Sequence, residues 1–365
     1  MVDIAWRNKN DITPNIKELK KQHETRFKQI NFYSNSSPSK CQGNKSVKNW
    51  TNKLFWGDNA EVLYYLLNTF EDKINLIYID PPFFSGTNYQ IQVKGENLDY
   101  ETVAYEDNWD KDLDTYLQML YERFILFKKL LTKTGLLFVH LDWHACHPVK
   151  MILDNVFGEN HFINNIVWYY YNKYSAGKKN LPRAHDDILI YSKTNNYTFN
   201  ELRIPREKPR KQLKRENVNG ILKNAKDENG NVMYRIVNDK KLDDVWRIPC
   251  LQPASKEWTG FPTQKHHELI ERIIELGSNE GDLIADFFCG SGTTLLTAER
   301  LKRKWIGCDI SKYSIHLTLN RIRKFNNNKE ENLNSIDFYT DLTEEKKDII
   351  KSGFFEKDIK IRRKK

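Results

Sequence analysis

Five apolar runs punctuate this chain: "KLFW" (53–56), "INLIYI" (74–79), "GLLFVHL" (135–141), "ILIY" (188–191) and "KWIGC" (304–308). Apolar residues are nearly continuous within each run, which predicts strands covered on both faces. Between the runs the spacing changes. Leu113, Tyr116, Leu117, Leu120 and Phe124 recur three and four apart within 112–131, with Asp112 as a cap and Gly135 beyond the end. A second helix is predicted in "KHHELIERIIELG" (265–277), where Leu269 pairs with Ile273, Ile270 pairs with Ile274, and Gly277 closes the last turn. Strands alternating with helices predict an α/β fold, its sheet mixed but mostly parallel, with helices on both faces.

The alternation occupies two blocks, 51–196 and 246–325. Residues 1–50 are polar, with "NSSPSKCQGNKS" (35–46) reading as loop, and are expected to form an arm rather than a folding unit. Residues 197–245 interrupt the pattern with an inserted, basic, mobile module. Seven of the fifteen residues from Glu201 to Arg215 are basic: Arg203, Arg206, Lys208, Arg210, Lys211, Lys214 and Arg215. Asn229-Gly230 marks a hairpin turn further on. Residues 326–365 are expected to be a charged tail ending in "KDIKIRRKK".

Composition narrows the classes. With 39% hydrophobic residues, the 365-residue chain can build one large core and a smaller appended region. No run approaches the roughly 18 apolar residues of a membrane helix, and Met1–Asn10 lacks a signal core, so a cytoplasmic location is expected. Cys41, Cys146, Cys250, Cys289 and Cys308 are scattered and form no C-x-x-C pair, which speaks against a disulfide framework or a cysteine zinc site. A net charge of +9 favours a polyanionic partner such as nucleic acid.

Two short stretches carry candidate chemistry. "LIADFFCGSGTTLLTAERLKRKWIGCDIS" (283–311) reads as strand, glycine turn, helix, strand and acid, with Asp309 nineteen positions after Gly290. That spacing suits a carboxylate on ribose hydroxyls. Position 295, where a dinucleotide fingerprint would carry its third glycine, is Leu295, which disfavours a pyrophosphate ligand. A nucleoside-like cofactor without a diphosphate remains, and S-adenosylmethionine is the candidate. The loop residues Asp286, Phe288, Cys289, Gly290, Ser291, Gly292 and Thr293 are expected to hold it with Asp309.

In the second stretch, "INLIYI" ends at Asp80-Pro81-Pro82-Phe83, which places a carboxylate at the carboxyl edge of a parallel sheet. The prolines stiffen the turn and leave carbonyls free to point outward. The lone pair of an exocyclic amine on a nucleobase is conjugated into the ring until the nitrogen becomes tetrahedral. Asp80 and the Pro81 carbonyl could accept its two hydrogens, and Phe83 could stack on a base drawn out of the duplex.

The order of these stretches, "DPPF" before "FCGSG", resembles the β class of DNA amino-methyltransferases, and the likeness extends over most of 51–320. "LFWGDNAEVL" resembles that family's first block, which implies that Asp58 lies near the cofactor adenine. "GFPTQKHHELIERII" resembles its tenth motif, which implies that Thr263, Gln264 and Lys265 cover the methionine end. The resemblance implies a Rossmann-like S-adenosylmethionine-dependent methyltransferase fold with an inserted target-recognition region. It also implies double-stranded DNA as substrate, and it leaves a cognate restriction endonuclease and a homodimer open as further partners. The turn departs from the commoner D-P-P-Y-N in having Phe83 and Phe84, and His266 stands where the tenth motif carries proline. The aspartate-first turn leans toward N6 of adenine over N4 of cytosine. A DNA-binding regulator without turnover and an RNA methyltransferase are the rival readings.

His140, Asp142, His144 and His147 could be read as a metal cluster, but they fall where a strand turns into a helix, so no metal is expected. His140 and Asp142 are expected to shape the site floor, "WYYY" (168–171) to be core, and His185 and Asp186 have no assignment.

Overall fold

Each of the five apolar runs is a strand, and all five lie in one ten-stranded sheet. The computed structural model of the protein describes residues 5–6, 9–30, 50–84, 86, 88–95, 98–107, 112–173, 179–327, 336–356 and 360–363. In chain order the elements are α1 (Ile16–Gln22), β1 (Lys28–Ile30), β2 (Asn52–Trp56), α2 (Asn59–Phe70), β3 (Ile74–Ile79), β4 (Asn88–Gly95), β5 (Leu98–Glu106), α3 (Leu113–Leu130) and β6 (Leu131–Leu141). There follow α4 (Cys146–Phe157), β7 (Phe162–Tyr169), β8 (His185–Ser192), β9 (Arg203–Leu213), β10 (Arg215–Val218), β11 (Ile221–Asn224), β12 (Tyr234–Lys241) and β13 (Val245–Arg247). The chain closes with α5 (His267–Gly277), β14 (Leu283–Asp286), α6 (Thr293–Arg300), β15 (Lys304–Asp309), α7 (Lys312–Asn327), β16 (Ile336–Thr340), α8 (Glu344–Lys351) and β17 (Lys360–Arg363).

The main sheet runs β1-β16-β2-β15-β14-β3-β6-β8-β7-β13. Its centre, from β16 to β6, is parallel throughout, while β1 and β8 pair antiparallel with their neighbours. Side chains alternate across a strand, so a strand buried on both faces must be apolar at every position. In β3, Ile77 and Ile79 enter one core with α2, α3 and α4, whereas Leu76 and Tyr78 enter the other with α5, α6 and α7. This mixed, mostly parallel sheet with helices on both faces is the fold expected from the alternation. No helix among the described residues is long and apolar enough to cross a membrane.

Some expectations hold and others are corrected. Gly277 is, as expected, the last residue of α5, and a Cβ there would stand 2.8 Å from Leu76 Cδ1 and 3.0 Å from Phe138 Cε2. Glycine is needed there for close approach to the sheet. Gly135 lies beyond the end of α3, as expected, but inside β6, which begins at Leu131 directly after the helix. Part of the polar arm folds onto the body: Ile12, Ile16 and Phe27 are buried and β1 edges the main sheet. Three apolar anchors in so polar a segment leave no periodic signal. The "NSSPSKCQGNKS" loop lies outside the described residues.

The charged tail likewise contributes β16 between β1 and β2, buries Phe338, Phe354 and Phe355, and returns as β17 against β4. In the basic insertion β9 pairs with β12 and β10 with β11, and the chain turns at Asp227–Asn231, around the expected Asn229-Gly230. Of "WYYY", Trp168 and Tyr170 are buried, while Tyr169 and Tyr171 are each 39% exposed.

Replacing Gly277 by alanine should overpack α5 against β3 and β6. The expected loss is about 1–3 kcal/mol, read as a lower urea midpoint with an unchanged slope.

Candidate active site

Four neighbouring parallel strands, β2, β15, β14 and β3, all deliver a carboxylate to the same edge of the sheet. Asp309 ends β15 opposite Trp56, Asp286 ends β14 opposite Gly307, and Asp80 and Asp58 follow β3 and β2 by one and two residues. All four line one cavity of about 560 Å³, within the roughly 300–1,000 Å³ of small-ligand sites. Pro81, Pro82, Phe83, Thr263, Lys265, Phe288, Cys289, Gly290, Ser291 and Thr293 also line it.

The glycine loop is held from two sides. Gly290 and Gly292 have φ of 48° and 74°, a region that disfavours side chains. Asp309 Oδ2 accepts from the Gly290 amide at 2.8 Å and Oδ1 from the Ser311 amide at 2.8 Å. From α7, the Arg321 guanidinium donates to the Ser291 carbonyl at 2.7 Å and to Thr293 Oγ1 at 2.9 Å. Burial lowers that guanidinium to about 10.

Burial also raises the carboxyls. Asp286 is pushed up to about 7, against the hydrogen bonds from Thr294 and the Phe288 amide and helped by the charges of Asp80 and Asp309. Asp309 is raised as well, by burial, despite the amides of Ser311 and Gly290. An acidic, desolvated wall of this kind favours a cationic ligand.

At the end of β3, Asp80 Oδ2 forms an ion pair with Lys265 Nζ, and that ammonium sits 5.2 Å from the centre of the Phe83 ring. Asp80 Oδ1 is buried and has no hydrogen-bond partner among the described residues. Behind it lies His140, fully buried, with Nδ1 3.0 Å from the Tyr78 hydroxyl and Nε2 3.2 Å from Asp186 Oδ2.

Phe84 adopts φ 60°, a conformation that asparagine tolerates better than phenylalanine. The strain, about 1–2 kcal/mol, is offset where the Phe84 amide donates to Asp107 Oδ1 at 2.8 Å and its ring packs on Tyr116. His266 has φ −67°, the value proline would impose, so the exchange leaves the backbone path intact. Its ring adds an acceptor for the Glu268 amide at 3.3 Å, capping α5.

A family model described as DNA methylase matches residues 74–320.

The chain belongs to the DNA methylase family.

Among its relatives, the type II methyltransferase M.EcaI of Enterobacter cloacae is 27% identical over 321 residues, covering 74% of this chain and 69% of that one. The Mod subunit of the type III restriction-modification enzyme StyLTI of Salmonella typhimurium is 25% identical, and its match covers 73% of this chain and 55% of the subunit. The solved PvuII DNA methyltransferase, titled cytosine-N4-specific, superposes with a TM-score of 0.50 at 16% identity, over 85% of this chain and 94% of that one. This last likeness concerns the fold.

Not every expected residue of the methylase faces the cavity. Gln264 turns away and braces its own loop, Oε1 accepting from Thr259 N at 2.9 Å and Nε2 donating to the Glu257 carbonyl at 2.8 Å. Gly292 begins α6 and is packed against Thr318, with no room for a Cβ. The histidine group is not gathered either, since His144 pairs with Asp142 at 2.6 Å while His140 turns to Tyr78 and Asp186. Among the described residues, Glu257, His266 and His267 are the trio whose ligand atoms lie within 4.8 Å of one another.

In the insertion, Arg203 is held by Asp239 and Glu201, and Arg206 donates to the Asp239 carbonyl. Lys208, Arg210, Lys211, Lys214 and Arg215 are exposed. The sequence left Asp186, Tyr78 and Arg321 without roles, because a histidine's or arginine's partner is set by strand pairing and helix packing. The only prior signal was an acid beside a histidine at 185–186.

The raised carboxyl of Asp286 gives a pH test. Its folded value, about 7, exceeds its ordinary value near 3.8, so the folded state holds an extra proton between them. This group's stabilising contribution is full below about pH 4 and lost as pH rises toward about 7. The stability of the native chain minus that of Asp286→Asn should therefore fall between pH 5 and 7 and level off above. Paired urea titrations measure it.

Proposed function

We propose that this DNA methylase transfers a methyl group from S-adenosylmethionine to the exocyclic N6 amino group of an adenine turned out of duplex DNA. The observation that carries the reading is the orphaned Asp80 Oδ1, a buried acceptor on a residue that lines the cavity together with Phe83. Leaving such an atom without a donor costs about 1–3 kcal/mol, a cost that an amine N–H entering the cavity removes.

The acidic wall fits a cofactor whose sulfonium and ammonium groups are both positive. Asp309 would hold its ribose, Asp58 would lie near its adenine, and the glycine loop with Thr263 and Lys265 would take its amino-acid end. When bound, S-adenosylmethionine supplies a methyl carbon whose bond to positive sulfur breaks as nitrogen attacks, the sulfur keeping the electron pair. Asp80 Oδ1 and the Pro81 carbonyl accept the two amine hydrogens and draw the nitrogen toward tetrahedral geometry. Phe83 stacks on the base. After transfer one amine proton leaves to Asp80. Holding both partners in attack geometry can contribute about 7–11 kcal/mol, so the chain needs no covalent nucleophile.

By resemblance to the family, the aspartate-first turn supports adenine over cytosine, while its hydrogen-bonding logic serves either amine. The exposed lysines and arginines of the β9–β12 ribbon and the neighbouring hairpin suit phosphate contacts and target reading. The restriction-modification naming of a relative supports a cognate endonuclease as partner.

Mass spectrometry of nucleosides from duplex DNA treated with the protein and S-adenosylmethionine should show N6-methyladenine. N4-methylcytosine would reassign the base, and no methylated base would overturn the reading. Asp80→Ala should abolish transfer, about a hundredfold or more, with calorimetric cofactor affinity nearly unchanged. DNA affinity should fall with salt at a slope of about 0.9 per phosphate contact, and Lys208→Ala with Arg210→Ala should flatten that slope.

A further inference from the structure

His140 is a fully buried ring that stands between two carboxylates of the site region, Asp80 and Asp186. It lies on β6 opposite Ile188 of β8. Asp186 Oδ2, from β8, is 3.2 Å from Nε2; the Tyr78 hydroxyl, from β3, is 3.0 Å from Nδ1; Asp80 Oδ1 is 3.9 Å from Nδ1. Trp168 of β7 meets the ring edge-on at 5.3 Å and Phe83 lies 5.8 Å away. Lys265 is the cation of this cluster, paired with the other oxygen of Asp80.

We propose that Asp186 and Tyr78 lock His140 in the tautomer that withholds a donor from Asp80, so that Asp80 Oδ1 stays free for the substrate amine. The proposal rests on Asp80 being the amine acceptor, and it adds three positioning residues to that role: His140, Asp186 and Tyr78.

An ionised carboxylate can only accept, so His140 Nε2 must carry the hydrogen that meets Asp186. Burial opposes the charge on Asp186, but the hydrogen bond from His140 and the charges of His140, Lys265 and Lys173 leave its carboxyl below the ordinary range. Its other oxygen accepts from the Tyr170 hydroxyl at 3.1 Å. With the proton on Nε2, Nδ1 of the neutral ring is a lone pair, which Tyr78 satisfies by donating its hydroxyl. Burial, with the charges of Asp80, Asp286 and Asp186 around it, holds that phenol well above its usual value, so the proton stays in place.

Asp80 Oδ1 therefore faces a lone pair and finds no donor. In the opposite tautomer, or in an imidazolium, a second N–H would point from Nδ1 toward Asp80. The amine would then have to displace it.

Two measurements test this on the full chain. Nitrogen-15 spectra of histidine-labelled protein, with His140 assigned by its loss in His140→Gln, should show Nε2 protonated and Nδ1 accepting. In Asp186→Asn, whose amide can donate to Nε2, the proton should move to Nδ1. A wild-type ring protonated on Nδ1 would overturn the inference, and this readout needs neither cofactor nor DNA.

In single-turnover assays, Asp186→Asn should lose roughly 10²- to 10⁴-fold in methyl transfer with S-adenosylmethionine affinity unchanged. Tyr78→Phe should lose about tenfold, the effect of one hydrogen bond. Native-like transfer by a folded Asp186→Asn variant would also overturn the inference. A wild type with the expected tautomer that methylates no DNA would instead sink the proposed function.

Discussion

Four carboxylates stand at one edge of the sheet, and keeping them there against desolvation and mutual repulsion is the constraint that shapes the surrounding structure. Parallel pairing of β2, β15, β14 and β3 sets the strand ends side by side, so acids that close or follow these strands meet whether or not they attract. The cost appears in the raised carboxyls of Asp286 and Asp309, and each neighbouring element supplies a partial answer. Loop amides point at Asp309 and Asp286, Lys265 comes from the start of α5 to Asp80, and Arg123 from α3 approaches Asp58 at 3.6 Å.

Those answers are incomplete at one atom. Asp80 Oδ1 is buried without a donor among the described residues, beside a histidine whose own two nitrogens are engaged elsewhere. Packing this close rarely leaves such an oxygen without a reason. The stiff Pro81-Pro82 turn prevents it from relaxing toward solvent, and the left-handed Phe84, tied to Asp107, anchors the far side of that turn. Strain and an orphaned acceptor thus occur within five residues, the arrangement expected where a site is preorganised for a ligand.

The legibility of these features in the sequence follows the range of the interactions. The strand "INLIYI" and its terminal Asp80 were readable because burial on both faces demands unbroken apolarity, and the spacing from Gly290 to Asp309 because one strand–turn–helix–strand unit has a fixed length. Gln264 misled because a motif residue can support a loop from behind without facing the ligand. Phe27 and Phe355 were hidden in polar surroundings, where isolated anchors leave no period.

By itself the sequence determined the five central strands, the helices within 112–131 and 265–277 and the one after the glycine turn, that the sheet is largely parallel, and that acids sit at strand ends, since each is a matter of local pattern and steric preference. Only the tertiary structure decided that Lys265 pairs with Asp80 across 185 residues, that Asp186 holds His140, and that Arg321 clamps the glycine loop. A buried polar group takes whichever partner the packing of other elements brings within about 3 Å, and nothing in the local sequence records that choice.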